Sequence, residues 1–288
     1  SESGPTVPEV LPAGWISPPD VHDEQPTRPT VAVAGPARGV YPRAICFDDS
    51  SKDFLDSREM TEVLNAAVSL IGKKIDVLGF DACLMSMIEV AYQVRTGARV
   101  MVASEDVEPG NGWPYSEILT TLTGDPTISP QDLGKAIIAH YVAAYNRSLL
   151  SVEPITQSAL DLEQAATVVE PLDDLARGLL NGWKRKGLRM AVAEARRQAQ
   201  TFMDPDYVDL FDFVSLLAGK MGAKPVRGAC QRLLAVIEPG AAGSLVLADG
   251  HTGLAERNAH GLSIYFPQIG LSPFYAALEM SRDCTWTR

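Results

Sequence analysis

No stretch of the sequence approaches the roughly 20 apolar residues that a membrane-crossing helix needs. Cysteine is sparse: Cys46, Cys83, Cys230 and Cys284 are scattered, with no CxxC pair. That spacing excludes a paired-thiolate zinc site and argues against a disulfide framework. Unpaired cysteines fit a reducing cytosol better than secretion, and no signal peptide is visible. Positive charge is also short, with 25 Lys and Arg against 36 Asp and Glu and a net charge of −11. This excess of acid argues against nucleic acid and anionic membranes as partners and fits a basic peptide or protein. Only four histidines occur, His22, His140, His251 and His260. There is no internal repeat. The chain begins with Ser rather than Met, as a processed or truncated product would.

What remains is the composition of a globular protein: 288 residues, 46% hydrophobic and 21% charged, enough for a full core in one or two domains. Residues 1–43 hold nine of the 20 prolines and little periodic apolar pattern, which predicts a Pro-rich linker or loop with at most a short edge strand at 30–34. From 44 to 288 the pattern is that of alternating strands and helices. Strands are predicted at 43–47, 75–80, 99–103 and 155–160, and again at 244–247 and 262–266 as neighbours. Between them run a helix capped by Ser57 with a stripe at Met60, Val63, Leu64, Ala67, Val68 and Ile71, a helix opened by Pro130 after Ser129, and several helices between about 162 and 236. Strand–helix alternation predicts an α/β fold with a mostly parallel sheet.

One stretch carries chemistry. Residues 75–80 read as a strand buried on both faces, and Leu84, Met87, Ile88, Ala91, Tyr92 and Arg95 then recur at helical spacing. Cys83 is thereby predicted where a strand gives way to a helix. The free N–H groups of a first helical turn favour a thiolate there. The carboxyl end of such a strand is also where open α/β sheets bind ligands. Against this stands the ordinary role of cysteine as buried filler. Asp81 tips the balance, since a carboxylate at the end of an apolar strand calls for a cation, which a substrate side chain would supply.

Several local sequences resemble the clostripain-type cysteine peptidases of the caspase-like clan. They are Ile45-Cys46-Phe47-Asp48-Asp49, Asp76-Val77-Leu78-Gly79-Phe80-Asp81-Ala82-Cys83-Leu84-Met85, Ser104-Glu105 with Pro109-Gly110-Asn111-Gly112-Trp113, Ser158-Ala159-Leu160-Asp161-Leu162, and His260-Gly261-Leu262-Ser263-Ile264-Tyr265-Phe266-Pro267. The resemblance implies a caspase-like three-layer α/β sandwich over 44–288, with a helical insertion at about 162–236. It also implies a Cys–His dyad that hydrolyses peptide bonds after Arg or Lys, and activation by self-cleavage. Carried across, Cys83 is the nucleophile and Asp81 lines the pocket for the substrate's basic side chain. Ser104, Glu105, Asn111 and Trp113 form or approach another wall of that pocket. Arg38, Arg43 and the Lys184-Arg185-Lys186 run are candidate self-cleavage sites.

This sequence departs from the family pattern twice. The family's general base is the His of a His-Gly pair ahead of the Cys46-type strand, and no such pair precedes it here. The resemblance therefore implies a companion N-terminal chain, ending shortly before residue 1, that carries the histidine. Secondly, Asn111 stands where some members carry an acid, leaving Asp81 as the main cation partner, helped by Glu105. No cofactor is required by this chemistry. Some family members use Ca2+, and the patches Asp48-Asp49/Asp53/Asp56 and Asp204/Asp206/Asp209/Asp212 offer oxygen ligands, though neither has an EF-hand loop. A caspase-like shell that lost its base and serves as an interaction scaffold is the competing reading, and a hydrolase of another amide or ester is a third.

Overall fold

A computed structural model describes residues 45–48, 50, 53–146, 153–222, 224–272 and 275–287. All lie in the larger of two compact units, Val40–Arg288. The Pro-rich segment, its expected strand at 30–34 and His22 lie outside the described residues.

The chain enters through a hairpin of β1 (Ile45–Asp48) and β2 (Asp53–Leu55), and then forms helix α1 (Ser57–Ile71). Its cap is Asp56 rather than the expected Ser57. The Asp56 carboxylate accepts the N–H groups of Arg58 and Glu59 at 2.7 and 2.9 Å, and Glu59 reaches back to the Asp56 N–H at 2.9 Å. This reciprocal box satisfies donors that the first turn would otherwise leave open. Gly72 ends the helix at φ 73°.

There follow β3 (Ile75–Gly79), α2 (Ile88–Val94) and β4 (Ala98–Ala103). Next come α3 (Tyr115–Gly124), α4 (Pro130–Tyr145) and β5 (Ile155–Asp161). Helices α5 (Val169–Gly182) and α6 (Lys186–Gln198), strand β6 (Tyr207–Asp209), and helices α7 (Leu210–Lys220) and α8 (Lys224–Ile237) fill the next stretch. Strands β7 (Val246–Thr252) and β8 (Ser263–Tyr265) and the short helix α9 (Glu279–Asp283) complete the set. No helix among the described residues is long and apolar enough to cross a membrane.

The main sheet runs β3-β4-β5-β7. Side chains alternate along β4: Met101 and Ala103 enter one core with α1, α2 and the later helices, while Val100 and Val102 enter another with Ile137, Ile138 and Tyr141 of α4. Both faces of the sheet are therefore covered, which is the expected three-layer sandwich. The sheet is not mostly parallel, however. Only β3 and β4 pair in parallel; β4–β5 and β5–β7 are antiparallel. One helix, α2, returns the chain to the starting edge between β3 and β4. Two helices, α3 and α4, separate β4 from β5, so the chain re-enters the sheet at the edge it had left.

Two other expectations need correction. β3 is half-buried and, among the described residues, stands at the end of the strand order, not in the middle. β7 and β8 are not neighbours, because β7 pairs with β5 and β8 with β6. The link between β7 and β8 folds back over the sheet at Gly261 (φ 85°), where an added Cβ would lie 2.8 Å from the Ser158 Cβ and 2.9 Å from the Asp249 Cβ. Gly261→Ala is therefore expected to cost roughly 1–3 kcal/mol through overpacking and left-handed strain. Urea unfolding would show this as a lower midpoint at unchanged slope.

Candidate active site

The parallel pair β3–β4 delivers two chain segments to the same edge of the sheet. Phe80 extends the ladder by donating to the Val102 carbonyl at 2.9 Å. Beyond it, the Leu84 N–H bonds the Asp106 carbonyl at 3.0 Å and the Ser86 N–H bonds the Ser104 carbonyl at 2.8 Å. Ser86 in turn accepts the Ser263 N–H at 2.9 Å, tying the segment to β8. Backbone groups bonded sideways in this way cannot enter a helical ladder. Leu84 adds a second obstacle, as the only non-glycine among the described residues with positive φ, at 62°. Helix α2 thus starts at Ile88, with Met87 at its cap, five residues beyond Cys83.

The expectation that Cys83 opens a helix is therefore wrong. Its thiol is free and exposed on the irregular connection between β3 and α2. The donor facing it is instead the Glu108 backbone N–H, at 3.3 Å from Sγ. This bond comes from the segment that follows β4.

Asp81, two residues earlier, is also exposed. Its Oδ2 accepts the Tyr115 hydroxyl at 2.8 Å and the Trp113 N–H at 3.4 Å. Gly112 passes directly over it, with φ 62° and room for no side chain: a Cβ there would meet Oδ2 at 2.8 Å. Tyr145 clamps the same turn through the Gly112 carbonyl at 2.7 Å. Asn111 sits exposed at the turn's tip. Trp113 is buried, its ring against Gly79 and stacked near Tyr115 with centroids 6.3 Å apart. It thereby pins the loop, and its Nε1–H donates to Glu108 Oε2 at 2.9 Å.

Glu108 was not singled out in the sequence. Its side chain is buried beside Asp81, and its Oε1 accepts Gln157 Nε2–H at 3.1 Å. Burial, and then the adjacent Asp81 carboxyl, push it up to about 9, so it is protonated at neutral pH. Burial and the bond to Asp81 likewise raise Tyr115 to about 12.

The structure draws two expected wall residues away from this cluster. Ser104 is fully buried, with its hydroxyl 2.9 Å from Thr156 Oγ1 and donating to the Asp106 carbonyl at 3.0 Å. Glu105 is 1% exposed, accepts the Gly261 N–H at 2.8 Å, and lies against Asp209. Burial first, and the Asp209 charge second, raise it well above the ordinary 4.5. An acid sealed in this way is out of reach of a substrate cation. Ser104 and Glu105 stay buried as the chain leaves β4, and Glu108, three residues further on, comes next to Asp81.

Among the described residues no histidine hydrogen-bonds Cys83. His140 shares a 2.8 Å bond with Thr121 on α3, and His251 is exposed on β7. His260 Nδ1 lies 3.2 Å from Asp209. Burial opposes its charge, but Asp209 together with Asp212 and Asp249 holds it above 6.5.

No group of three or more His, Cys, Asp or Glu among the described residues is placed to hold a metal ion. Several acids of the expected patches have other work: Asp56 caps α1, Asp209 caps α7, and Asp206 Oδ1 takes the Gln268 N–H at 3.2 Å, while Asp49 lies outside the described residues. A cavity of about 430 Å3, lined by Leu179, Trp183, Val192, Phe266 and Trp286, includes none of the residues around Cys83.

The fold is a caspase-like α/β sandwich, with Cys83 and Asp81 exposed just beyond the carboxyl end of one of its two parallel strands. The profile of the clostripain family matches residues 34–224, and the chain belongs to that family. It is 33% identical over 175 residues to clostripain of Hathewaya histolytica, in an alignment covering 50% of this chain and 32% of clostripain. The match thus spans about a third of that relative's length. Among solved structures, a B. fragilis cysteine protease has 16% identity and a TM-score of 0.56, with 84% of this chain and 100% of that one covered. A clostripain from Bacteroides thetaiotaomicron in complex with a peptide inhibitor has 16% identity and a TM-score of 0.56, covering 79% and 93%. An inactive zymogen C11 protease from Parabacteroides distasonis has 21% identity and a TM-score of 0.53, covering 76% and 62%. These likenesses show the fold.

The burial of Glu105 has a measurable sign. Below its ordinary 4.5 it is protonated in both folded and unfolded chains; above that, the unfolded chain ionises while the buried group resists, so stability falls as pH rises. Glu105→Gln keeps an oxygen for Gly261 and removes the titration. It is expected to gain on the wild type by up to about 1.4 kcal/mol per pH unit, read from urea midpoints at about pH 5 and about pH 8. A gap that stays constant would leave Glu105 ionised in the native state.

Proposed function

We propose that this chain bears the nucleophile of a cysteine endopeptidase that cleaves after Arg, and less well after Lys. The observation that carries the reading is the exposed Cys83 thiol beside an exposed, hydrogen-bonded Asp81 at one sheet edge. The Cys83 thiolate attacks the scissile carbonyl, the C–N bond breaks as the leaving amine is protonated, and water then releases the acyl group and restores the thiolate. Backbone N–H groups around Cys83 form part of the oxyanion site; one such donor is typically worth roughly 10²–10³ in rate. Asp81, oriented by Tyr115, receives the guanidinium of the residue before the cut, and its two oxygens suit the planar Arg fork better than Lys.

The imidazole that moves these protons comes from a histidine-bearing segment that precedes this sequence, as a companion chain of the same enzyme. Two observations support this. No histidine among the described residues bonds Cys83, and β3 has no partner on its outer side among them, where a further strand would fit. The peptide inhibitor held by the Bacteroides thetaiotaomicron clostripain, VLTK, ends in lysine, which supports a basic preference. The zymogen relative supports activation by cleavage. Lys184 and Arg185 lie in the tight turn between α5 and α6 and Lys186 opens α6, a stretch that a protease must unwind to cut. Arg38 and Arg43 lie outside the described residues.

In the full-length protein, Cys83→Ala is expected to abolish hydrolysis of Arg-terminated fluorogenic peptides and leave the melting midpoint unchanged. Activity that survives this change would remove Cys83 as nucleophile and favour another centre. Asp81→Asn is expected to lower kcat/KM on Arg peptides about 30-fold or more, from the roughly 2–5 kcal/mol of a truncated desolvated charge pair. Peptides with a neutral residue at that position should change little. Equal losses on both would take Asp81 out of the pocket.

A further inference from the structure

Glu108 is a carboxyl with no cation beside it among the described residues. The groups that face it are Asp81 from the segment after β3, Tyr115 from α3, and Tyr141 and Tyr145 from α4. Cys83 lies at its backbone, and the two neutral donors Trp113 and Gln157 hold its oxygens. Every titratable member of this shell loses a proton to become an anion. Neither Asp81 nor Glu108 forms an ion pair with a Lys, Arg or His among the described residues. Two carboxyls in hydrogen-bonding reach of each other cannot both ionise without a positive charge between them. Burial and the neighbouring Asp81 carboxyl therefore favour a proton on Glu108.

The donors around Glu108 suit a group that changes charge in place. Trp113 Nε1–H and Gln157 Nε2–H each bond one oxygen, at 2.9 and 3.1 Å, and both bonds remain when the acid proton leaves. The backbone is fixed independently by the bond from the Glu108 N–H to Cys83 Sγ. Asn111, exposed at the tip of the same loop, brings no charge. A substrate cation that meets Asp81 thus meets a second, convertible acid behind it.

We propose that Asp81 and Glu108 form a proton-linked receptor for a guanidinium side chain. Without the cation Glu108 keeps its proton beside Asp81, and the arriving cation displaces that proton to solvent. Glu108 is then a specificity-determining residue, and the pocket's full charge exists only when the right ligand is present. This inference rests on the proposed basic pocket at Asp81. Guanidinium is the apt ligand because its planar fork can span two carboxylates and it does not itself titrate. In the empty state Glu108 stands at about 9, so near neutral pH binding releases close to one proton. The dissociation constant then falls about tenfold for each unit rise in pH.

The test uses the full-length protein carrying Cys83→Ser, so that no thiol proton enters the count and an acceptor for the Glu108 N–H remains. Agmatine is titrated by calorimetry in two buffers of different protonation enthalpy. Expected are about one proton released per agmatine near pH 7 and a roughly hundredfold tightening between about pH 6 and about pH 8. With Glu108→Gln added, agmatine should bind without proton release, at a pH-independent affinity close to the value found at the acid end. Agmatine binding that needs Asp81 but releases no proton from the protein with native Glu108 would overturn the inference and leave the basic pocket standing. Binding that is absent, or indifferent to Asp81→Asn, would overturn both. The proton count with native Glu108 decides the matter even if Glu108→Gln fails to fold.

Discussion

The site depends on the one parallel pairing in the sheet. Because β3 and β4 run in the same direction, both leave the sheet at one edge, and their exit segments lie side by side. The bonds from Phe80 to Val102, from Leu84 to Asp106 and from Ser86 to Ser104 continue the pairing past the strands themselves. This lacing holds Cys83 and Asp81 on one segment against Glu108 on the other. An antiparallel partner would have sent the second segment to the opposite edge. The same bonds occupy the backbone of 84–86, which is why α2 begins late and why the donor at the sulfur is a loop N–H.

Two pairs of acids lie at this end of the molecule, and their settings separate them. Glu105 and Asp209 are sealed inside, where Asp209 caps α7 and Glu105 takes the Gly261 N–H. Asp209 also takes the His260 N–H, so the two acids tie the β4 exit to the loop before β8. Asp81 and Glu108 form a pair with one exposed member and one buried, ringed by Tyr115, Trp113 and Gln157. A cation can reach this pair and cannot reach the other. Glu105 and Glu108, three residues apart and both buried, thus fall to different tasks through the acid each one faces.

Much of the architecture was legible in the chain. The apolar stripe of α1, the strands at β3, β4 and β5 and the Pro-opened α4 follow from periodicity and capping residues. The errors share a cause. Leu84 to Arg95 has helical spacing throughout, yet its first turn is bonded to neighbouring segments and Leu84 takes a positive φ. Strand directions were misjudged because an apolar run of strand length reads the same whichever way it is threaded; only counting the helix passes between β4 and β5 would have pointed to reversal. The alternation of Ser104, Glu105 and Glu108 could not be continued past Ala103, since the chain's exit from the sheet is irregular.

The sequence by itself determined the class of the molecule and the identities of a cysteine and an aspartate at a strand end, because periodicity, composition and short motifs are properties of adjacent residues. Tertiary structure alone decided which glutamate faces Asp81. Gln157, which holds Glu108, is 49 residues away along the chain, and Gly261, which holds Glu105, is 156 residues away. A carboxyl's charge is set by the atoms packed around it, and those atoms come together only when distant segments meet.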